Sequence, residues 1–531
     1  MRNPISKKEY DVIIIGGGIT GMGTARDCAM RGLKTLLLER SDFATGATGR
    51  NHGLLHSGAR YAVNDPASAA ECIRENLILR RIAGHCVEEH DGLFISLPED
   101  DLDYQYKLIE ACRRCGIPAE IIDPEEAKRI EPTVNPALTG AVRVPDGSVD
   151  PFRLVRANEL DARIHGADIL SYHEVVAIVM QGDQVVGVKV RNTQNGEEFE
   201  VRGSITVNAA GIWGTLIGRL AGVEIKMFPG KGSLIIFANR VNKMVINRCH
   251  KAANGDILVP DGNVTILGST SDRVPISECD DMRVTSKEVG ILLREGTKLV
   301  PVLSTTRILR AYAGVRPLVA DDDDSGGRGI SRGIVCLDHE KRDGLRGFIT
   351  ITGGKLMTYR LMAEIATDMV CAKLNVVRKC ETALLALNQG ADPLVSPYRG
   401  RIYSPSRSSA LLEGSLYLCE CEKVTLGEIK ELIASGQAET LTQLRRRTRM
   451  GMGKCPGRFC ALRAARLMCS VGGQSAAQSG RDLADFINER WKGIYPIAWG
   501  TTLADGQYMA SVYQGLCGLG KYEHTEHTHQ L

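Results

Sequence analysis

At 531 residues the chain is too long for one ordinary core and predicts about three domains. Its 66 Lys and Arg against 63 Asp and Glu leave a formal charge of +3, which excludes a bulk field for nucleic acid or anionic lipid. The opening MRNPISKKEY lacks the hydrophobic region and cleavage site of a secretory signal, and no apolar run approaches the roughly 20 residues that span a bilayer, so the expectation is a cytosolic chain that meets any membrane through a partner.

YDVIIIGGGITGMGTARDCAMRGLKTLLLER reads as strand, glycine turn, helix and second strand. Gly16, Gly18 and Gly21 supply the G-x-G-x-x-G spacing that permits a tight turn, close approach of backbone to a pyrophosphate and close packing of helix on strand. Glu39, 18 residues beyond Gly21, ends the second strand where a carboxylate accepts from a ribose hydroxyl. NAD and FAD are both open at this point. The following SDFATGATGRNHGLLHSGARY is too small and polar for a core element, and its Gly, Ala and Thr let backbone amides approach a planar ring. SITVNAAGIWG, a strand ending in Ala-Ala-Gly, and GFITITGGKLMTYRLMAE, a strand, Gly-Gly turn and helix, have the same character. The last of these can aim a helix N-terminus at a reduced flavin, and together the three pieces favour FAD.

Most of the 16 cysteines stand alone in apolar stretches, as Cys28, Cys249, Cys336 and Cys371 do, and read as reduced core residues. Cys112 and Cys115 form C-x-x-C inside a helical stretch, LIEACRRCGI, without the strand of a thioredoxin motif. HEVVAIVM, QVVGVKVRN and EFEVRGSITVN predict hairpins, and DDDDSGGRG from Asp321 predicts a solvated loop. Residues 386–415, with PLVSPYRGRIYSPSRSS, predict a linker. Beyond it come Cys419 and Cys421 as C-x-C, then 33 residues, then Cys455 and Cys460 as C-x4-C. Four thiolates can hold a 2Fe-2S cluster or a zinc ion; C-x-C is unusual for structural zinc, and a flavin site upstream asks for a one-electron acceptor, which favours iron. Between the pairs, VTLGEIKELIASG opens on a capping-box spacing, Thr425 and Glu428, and a second helix follows near LTQLRRRTRMG. RRRTR from Arg445 reads as a docking patch for an acidic partner or as a solvated helix face. The tail HTEHTHQL reads as a polar end.

The stretches GGGITGMGTARDCAMRGL, LLLERSDFATGATGR, LLHSGARY, VNAAGIWG, KGSL, ILRAYAGVRPL and ITGGKLMTYR resemble, in the family's order, the FAD-dependent glycerol-3-phosphate dehydrogenases, within the flavin oxidoreductases related to D-amino-acid oxidase. With the cysteine module, which is similar to bacterioferritin-associated-ferredoxin domains, the resemblance covers the whole chain and points to the anaerobic branch. It implies an α/β fold: an FAD-binding Rossmann-type domain with a mixed-sheet substrate domain in 1–385, and a small α-helical 2Fe-2S domain in 416–470 followed by an extension, 471–531. The FAD-binding parts are expected at about 8–90, 150–225 and 340–375, with the substrate part interleaved at about 90–150 and 225–340.

The resemblance also implies oxidation of sn-glycerol 3-phosphate to dihydroxyacetone phosphate. Electrons are expected to leave through the cluster and reach a quinone by way of a second flavin-binding subunit, then a membrane-associated iron-sulfur subunit, which places the chain on the inner face of the cytoplasmic membrane. Arg60, Arg316 and Lys355 are the expected pocket cations, with Tyr61 beside them; Arg360 also flanks the Gly-Gly turn. His56 ranks first as the base, with His52 an alternative flavin contact. Aerobic relatives carry a histidine after KGS, where this chain has Leu234. Flavin contacts are expected from Arg40, Thr48, Gly49, Arg50, Gly53, Val176 (or Val175), Ala210, Gly211, Gly354 and Leu356 in addition to the fingerprint. The alternatives are an FAD/2Fe-2S dehydrogenase of another small hydroxy acid or amine, and a zinc-stabilised nucleotide-binding sensor.

Overall fold

EYDVIII forms strand β1 (Glu9–Ile15), buried on both faces from Val12 onward as a central parallel strand requires. Helix α1 (Ile19–Met30) and strand β2 (Thr35–Leu38), parallel to β1, complete the predicted unit. The computed structural model describes residue 5 and residues 8–319, 333–387, 416–455, 457–516 and 518–519, and sets this unit at the centre of an eight-stranded sheet. Glu198–Asn208 runs parallel to β1 on one side; beyond it Gln184–Asn192 and His173–Gln181 continue antiparallel, which is the predicted hairpin run. On the other side Asp168–Leu170 follows β2. Phe348–Gly353 joins Glu198–Asn208 in parallel and is itself paired to Ile334–Asp338. The loops after β1, β2, Glu198–Asn208 and Phe348–Gly353 therefore leave the same end of the sheet, where ligands of open α/β sheets bind.

A nine-stranded mixed sheet is built from strands within residues 92–144 and 228–318. Its longest pair, Phe228–Phe237 with Ile308–Leu318, sets Gly230 opposite Arg316 and Leu234 opposite Tyr312. Helix Ser286–Leu299 backs this sheet; its capping box, Thr285 with Glu288, satisfies orphan N–H groups of the first turn. Each sheet has its own apolar core: Val12, Ile14, Leu37 and Met362 belong to the first, and Leu93, Ile235, Leu267 and Leu292 to the second.

The cysteine module holds two short strands and a set of helices. Leu426–Ala434 starts at the predicted capping box, and Leu441–Thr448 follows. Its core also takes Leu483, Phe486, Ile487 and Tyr513, so the extension beyond residue 470 closes the module's core. The RRRTR run faces neither solvent nor a foreign acid. Arg446 and Arg447 pair with buried Asp42, and Arg449 meets Asp150, Asp261 and Glu422 at 2.9, 3.0 and 2.8 Å. The acids that meet this run come from the flavin-binding part (Asp42, Asp150), from the nine-stranded sheet (Asp261) and from the module itself (Glu422). Cys112 and Cys115 are buried on helix Tyr104–Arg114 and just after it, and burial pushes the Cys112 thiol up to about 12, the setting of an inert core residue. The Asp321 loop, most of the linker and the terminal histidines lie outside the described residues.

Candidate active site and cluster site

The switch end of the first sheet and one face of the second enclose a cavity of about 1290 Å³, larger than the roughly 300–1,000 Å³ of common small-molecule pockets. At one end lies the glycine turn. Gly16 has φ +115° and a Cβ there would stand 2.7 Å from the Ala209 carbonyl oxygen; a Cβ on Gly21 would stand 1.9 Å from the Gly16 carbonyl oxygen, so only glycine lets α1 begin so close to β1. The α1 N-terminus has no side-chain cap of its own, and the Ile19 N–H donates to Thr48 Oγ1 at 3.1 Å. Glu39 accepts from the Gly17 N–H at 2.7 Å and from Ser41, which holds its carboxylate at the end of β2.

Gly16, Gly18, Glu39, Arg40, Thr48, Arg50, His52, Ala210, Gly211, Gly354, Lys355 and Leu356 line this cavity. Gly21, Gly49, Gly53 and Val176 do not: Gly21 serves the packing of α1, Gly49 and Gly53 sit against the Ala44 and Val149 carbonyls, and Val175 takes the wall position in place of Val176. Trp213, inside the VNAAGIWG stretch, also lines the wall; its indole nitrogen is buried without a hydrogen-bond partner, while Arg40 lies over its ring at 4.7 Å. A buried donor at the cavity wall, a helix N-terminus and a cradle that a Cβ would fill all fit a bound dinucleotide flavin.

His52, His56, Tyr61 and Lys355 form a contiguous group in the cavity wall. The His52 and His56 rings are 5.9 Å apart, His56 and Tyr61 are 5.4 Å apart, and Lys355 Nζ stands 4.7 Å from the Tyr61 ring centre. Arg316 donates to Ser269 Oγ, and to the Thr270 and Lys231 carbonyls at 3.2 and 3.4 Å. Arg60 also reaches the cavity, but its Nη2 donates to both Asp256 oxygens at 2.7 and 2.8 Å. Arg360 is absent from the wall: it is buried against Glu75 at 2.7 Å and Glu364. Lys231 of KGSL pairs with Glu288 at 3.0 Å, and Leu234 presents an apolar side chain to the cavity. Lys251 is a wall residue that sequence reasoning missed, because CHKAANGD carries no motif and only the pairing of the flanking strands brings it to the site.

Cys419, Cys421, Cys455 and Cys460 of the C-terminal module come together as two interacting sulfur pairs. Cys419 interacts with Cys460 and Cys421 with Cys455, so each pair takes one residue from C-x-C and one from C-x4-C. The bond from Cys460, together with the Gly451 and Glu422 N–H groups, pulls Cys419 down to about 6, whereas burial raises Cys421 to about 11. Backbone donors aimed at thiolate sulfur are what a cluster site requires. Among the described residues no group of three or more His, Cys, Asp or Glu is drawn tightly enough to hold a metal ion. The two-pair arrangement fits a binuclear iron-sulfur group.

Residues 11–360 match the family model described as FAD dependent oxidoreductase, and residues 417–469 match the one described as BFD-like 2Fe-2S binding domain. The A-subunit of the anaerobic glycerol-3-phosphate dehydrogenase of Escherichia coli strain K12 is 58% identical over 96% of this chain and 97% of its own. The chain belongs to the family of anaerobic glycerol-3-phosphate dehydrogenase A-subunits. The A-subunit of Haemophilus influenzae is 54% identical over 97% of this chain and 94% of its own, and the A1-subunit of Haloferax volcanii 41% identical over 94% and 89%. Among solved structures, the glycerol-3-phosphate dehydrogenase from Bacillus halodurans complexed with FAD superposes with a TM-score of 0.68 at 20% identity, covering 93% of this chain and 96% of that one. The cofactors of the chain are accordingly FAD and a 2Fe-2S cluster, and the zinc-stabilised sensor is set aside.

Proposed function

We propose that this chain oxidises sn-glycerol 3-phosphate to dihydroxyacetone phosphate and passes the electrons singly through its cluster to partner subunits and a membrane quinone. The observation that carries this reading is one cavity wall that runs from the glycine turn at the α1 N-terminus to the cationic group around Arg316 and Lys355. The relatives are A-subunits of anaerobic glycerol-3-phosphate dehydrogenases by name, which supports the substrate and the existence of partners. A membrane-associated iron-sulfur subunit, together with a second flavin-binding subunit, would then attach the chain to the cytoplasmic face. Among the described residues no helix is long and apolar enough to cross a membrane.

Bound in the cavity, FAD supplies the hydride acceptor at its N5. The glycine turn and the Ile19 and Thr48 pair hold the pyrophosphate end, and Glu39 the ribose. Arg316 and Lys355 bind the phosphate dianion, and the Ser269 hydroxyl and Thr270 carbonyl hold the Arg316 guanidinium in place. Arg60 shares its charge with Asp256 and contributes less. His56, largely buried and edge-on to Tyr61, takes the proton of the carbinol hydroxyl.

Anaerobic titration of the purified full chain with glycerol 3-phosphate tests this. The flavin band bleaches and the reduced cluster signal grows as substrate is added. A protein that holds flavin and iron yet shows no bleaching with this substrate refutes the assignment.

A further inference from the structure

Four arginines outside the substrate group converge where the flavin-binding part meets the cysteine module. Arg50 lines the cavity, Arg310 lies on strand Ile308–Leu318, Arg445 on helix Leu441–Thr448, and Arg490 in the last turn of helix Ala476–Lys492. The Nε atoms of Arg310, Arg445 and Arg490 are buried without a hydrogen-bond partner, and among the described residues none of the four stands in an ion pair. Burial first, and then mutual repulsion, disfavours their charge: Arg445 feels Arg490, Arg310 and Arg446, and Arg490 feels Arg310. Glu489 faces Arg50, Arg310 and Arg445 and is shared with Lys492 at 3.3 Å, while Asp280 and Asp281 also act on Arg50. Buried guanidinium groups in such excess are costly unless an anion stands among them.

The geometry supplies one. Arg490 Nη2 donates to the Gly451 carbonyl, and a Cβ on the same Gly451 would stand 3.4 Å from the Cα of Gly457, which lies between Cys455 and Cys460. Cys460, Cys455 and Cys419 are the groups whose thiolate forms favour the Arg490 charge. Arg310 is fixed behind it, because the Ala311 N–H donates to the Gly493 carbonyl at 2.8 Å and ties that strand to the end of the Arg490 helix. Four thiolates and two bridging sulfides outweigh the charge of two ferric irons, and reduction adds one more negative charge with no proton.

We propose that Arg490, backed by Arg310 and Arg445, is the counter-charge of the iron-sulfur cluster and holds its reduction potential high enough to draw electrons from the flavin. The step balances as one electron leaving the substrate-reduced flavin and one cluster iron passing from ferric to ferrous. Arg490 is a positioning residue in this step, acting through charge and through the Gly451 peptide. The inference rests on the cluster assignment above and adds what sets the cluster's potential.

The test is an anaerobic redox titration of the full chain, followed by the electron paramagnetic signal of the reduced cluster, with iron, sulfide and flavin measured per chain. Arg490→Gln moves the midpoint to lower potential with iron and flavin content unchanged, and Arg490→Lys recovers most of the shift. Arg310→Gln and Arg445→Gln move it less, in the same direction. A midpoint equal to that of the parent in every variant that retains iron overturns the inference. If Arg490→Gln cannot hold iron, the other two variants decide, and an unshifted midpoint in both overturns it. A parent chain that binds no iron overturns the inference together with the cofactor reading beneath it, whereas an unshifted midpoint overturns the inference alone.

Discussion

Arg316 and His56 divide the expected chemistry between binding and proton transfer, and their variants separate the two. Arg316→Ala removes a charged hydrogen-bond donor worth about 1.5–3 kcal/mol, so kcat/KM for glycerol 3-phosphate falls by about 10- to 100-fold, mostly through KM, with flavin content unchanged. Steady-state kinetics with flavin quantified alongside check it; an unchanged KM takes the residue out of the phosphate site. His56→Ala instead slows flavin reduction by about 10²- to 10⁴-fold, the usual contribution of a general base. Stopped-flow reduction at saturating substrate reads it, and a loss of less than tenfold moves the base elsewhere. At this scale the sequence is legible where the physics is local. The glycine fingerprint and the Thr425 and Glu428 capping box follow from contacts a few residues apart. Val175 against Val176 is a one-residue choice, because a strand alternates its faces and the bulge between Val175 and Ala177 shifts the register. The pairing of Arg60 with Asp256, 196 residues away, leaves no trace in either neighbourhood.

Elements were legible in proportion to their periodicity and their end signals: β1, α1 and β2 stand where the first strand, the helix and the second strand are read, as do the three antiparallel strands of 173–208. What holds elements to one another was not. Helix Tyr359–Leu374 follows the Gly-Gly turn, and its Arg360 looked like a pocket cation; in the fold it clamps helix Pro66–Ile82 through Glu75, with both side chains buried. Arg360→Ala leaves the Glu75 carboxylate buried and unpaired, a loss of about 3–5 kcal/mol. Chemical denaturation monitored by helix signal shows it as a lower midpoint, while the KM of the folded fraction stays near that of the parent. A raised KM with undiminished stability would return Arg360 to the substrate site.

At the scale of the molecule, the cysteine module is fastened to the flavin-binding part by buried charge. Arg449 joins Asp150, Asp261 and Glu422, one carboxylate from each of the two sheet regions and one from its own module, and Asp42 receives Arg446 and Arg447. Burial pushes Asp42 and Asp150 upward, but the guanidinium groups overcome it and hold both below the ordinary carboxylate range. A depressed folded-state value means stability that is present above the unfolded pKa of about 3.9 and lost as pH falls through the folded value. Between about pH 5 and 8 the junction therefore holds at constant strength; below about pH 4 it weakens progressively, and it opens once the carboxylates protonate at their lower folded values. Arg449→Met should reproduce the opened state at neutral pH, because three carboxylates then lose their shared cation. Scanning calorimetry would show one transition splitting into two, and limited proteolysis would release the cysteine module as a fragment. If the variant melts in a single transition at the parent temperature, the tie carries no load, and the two units are held by apolar contact alone.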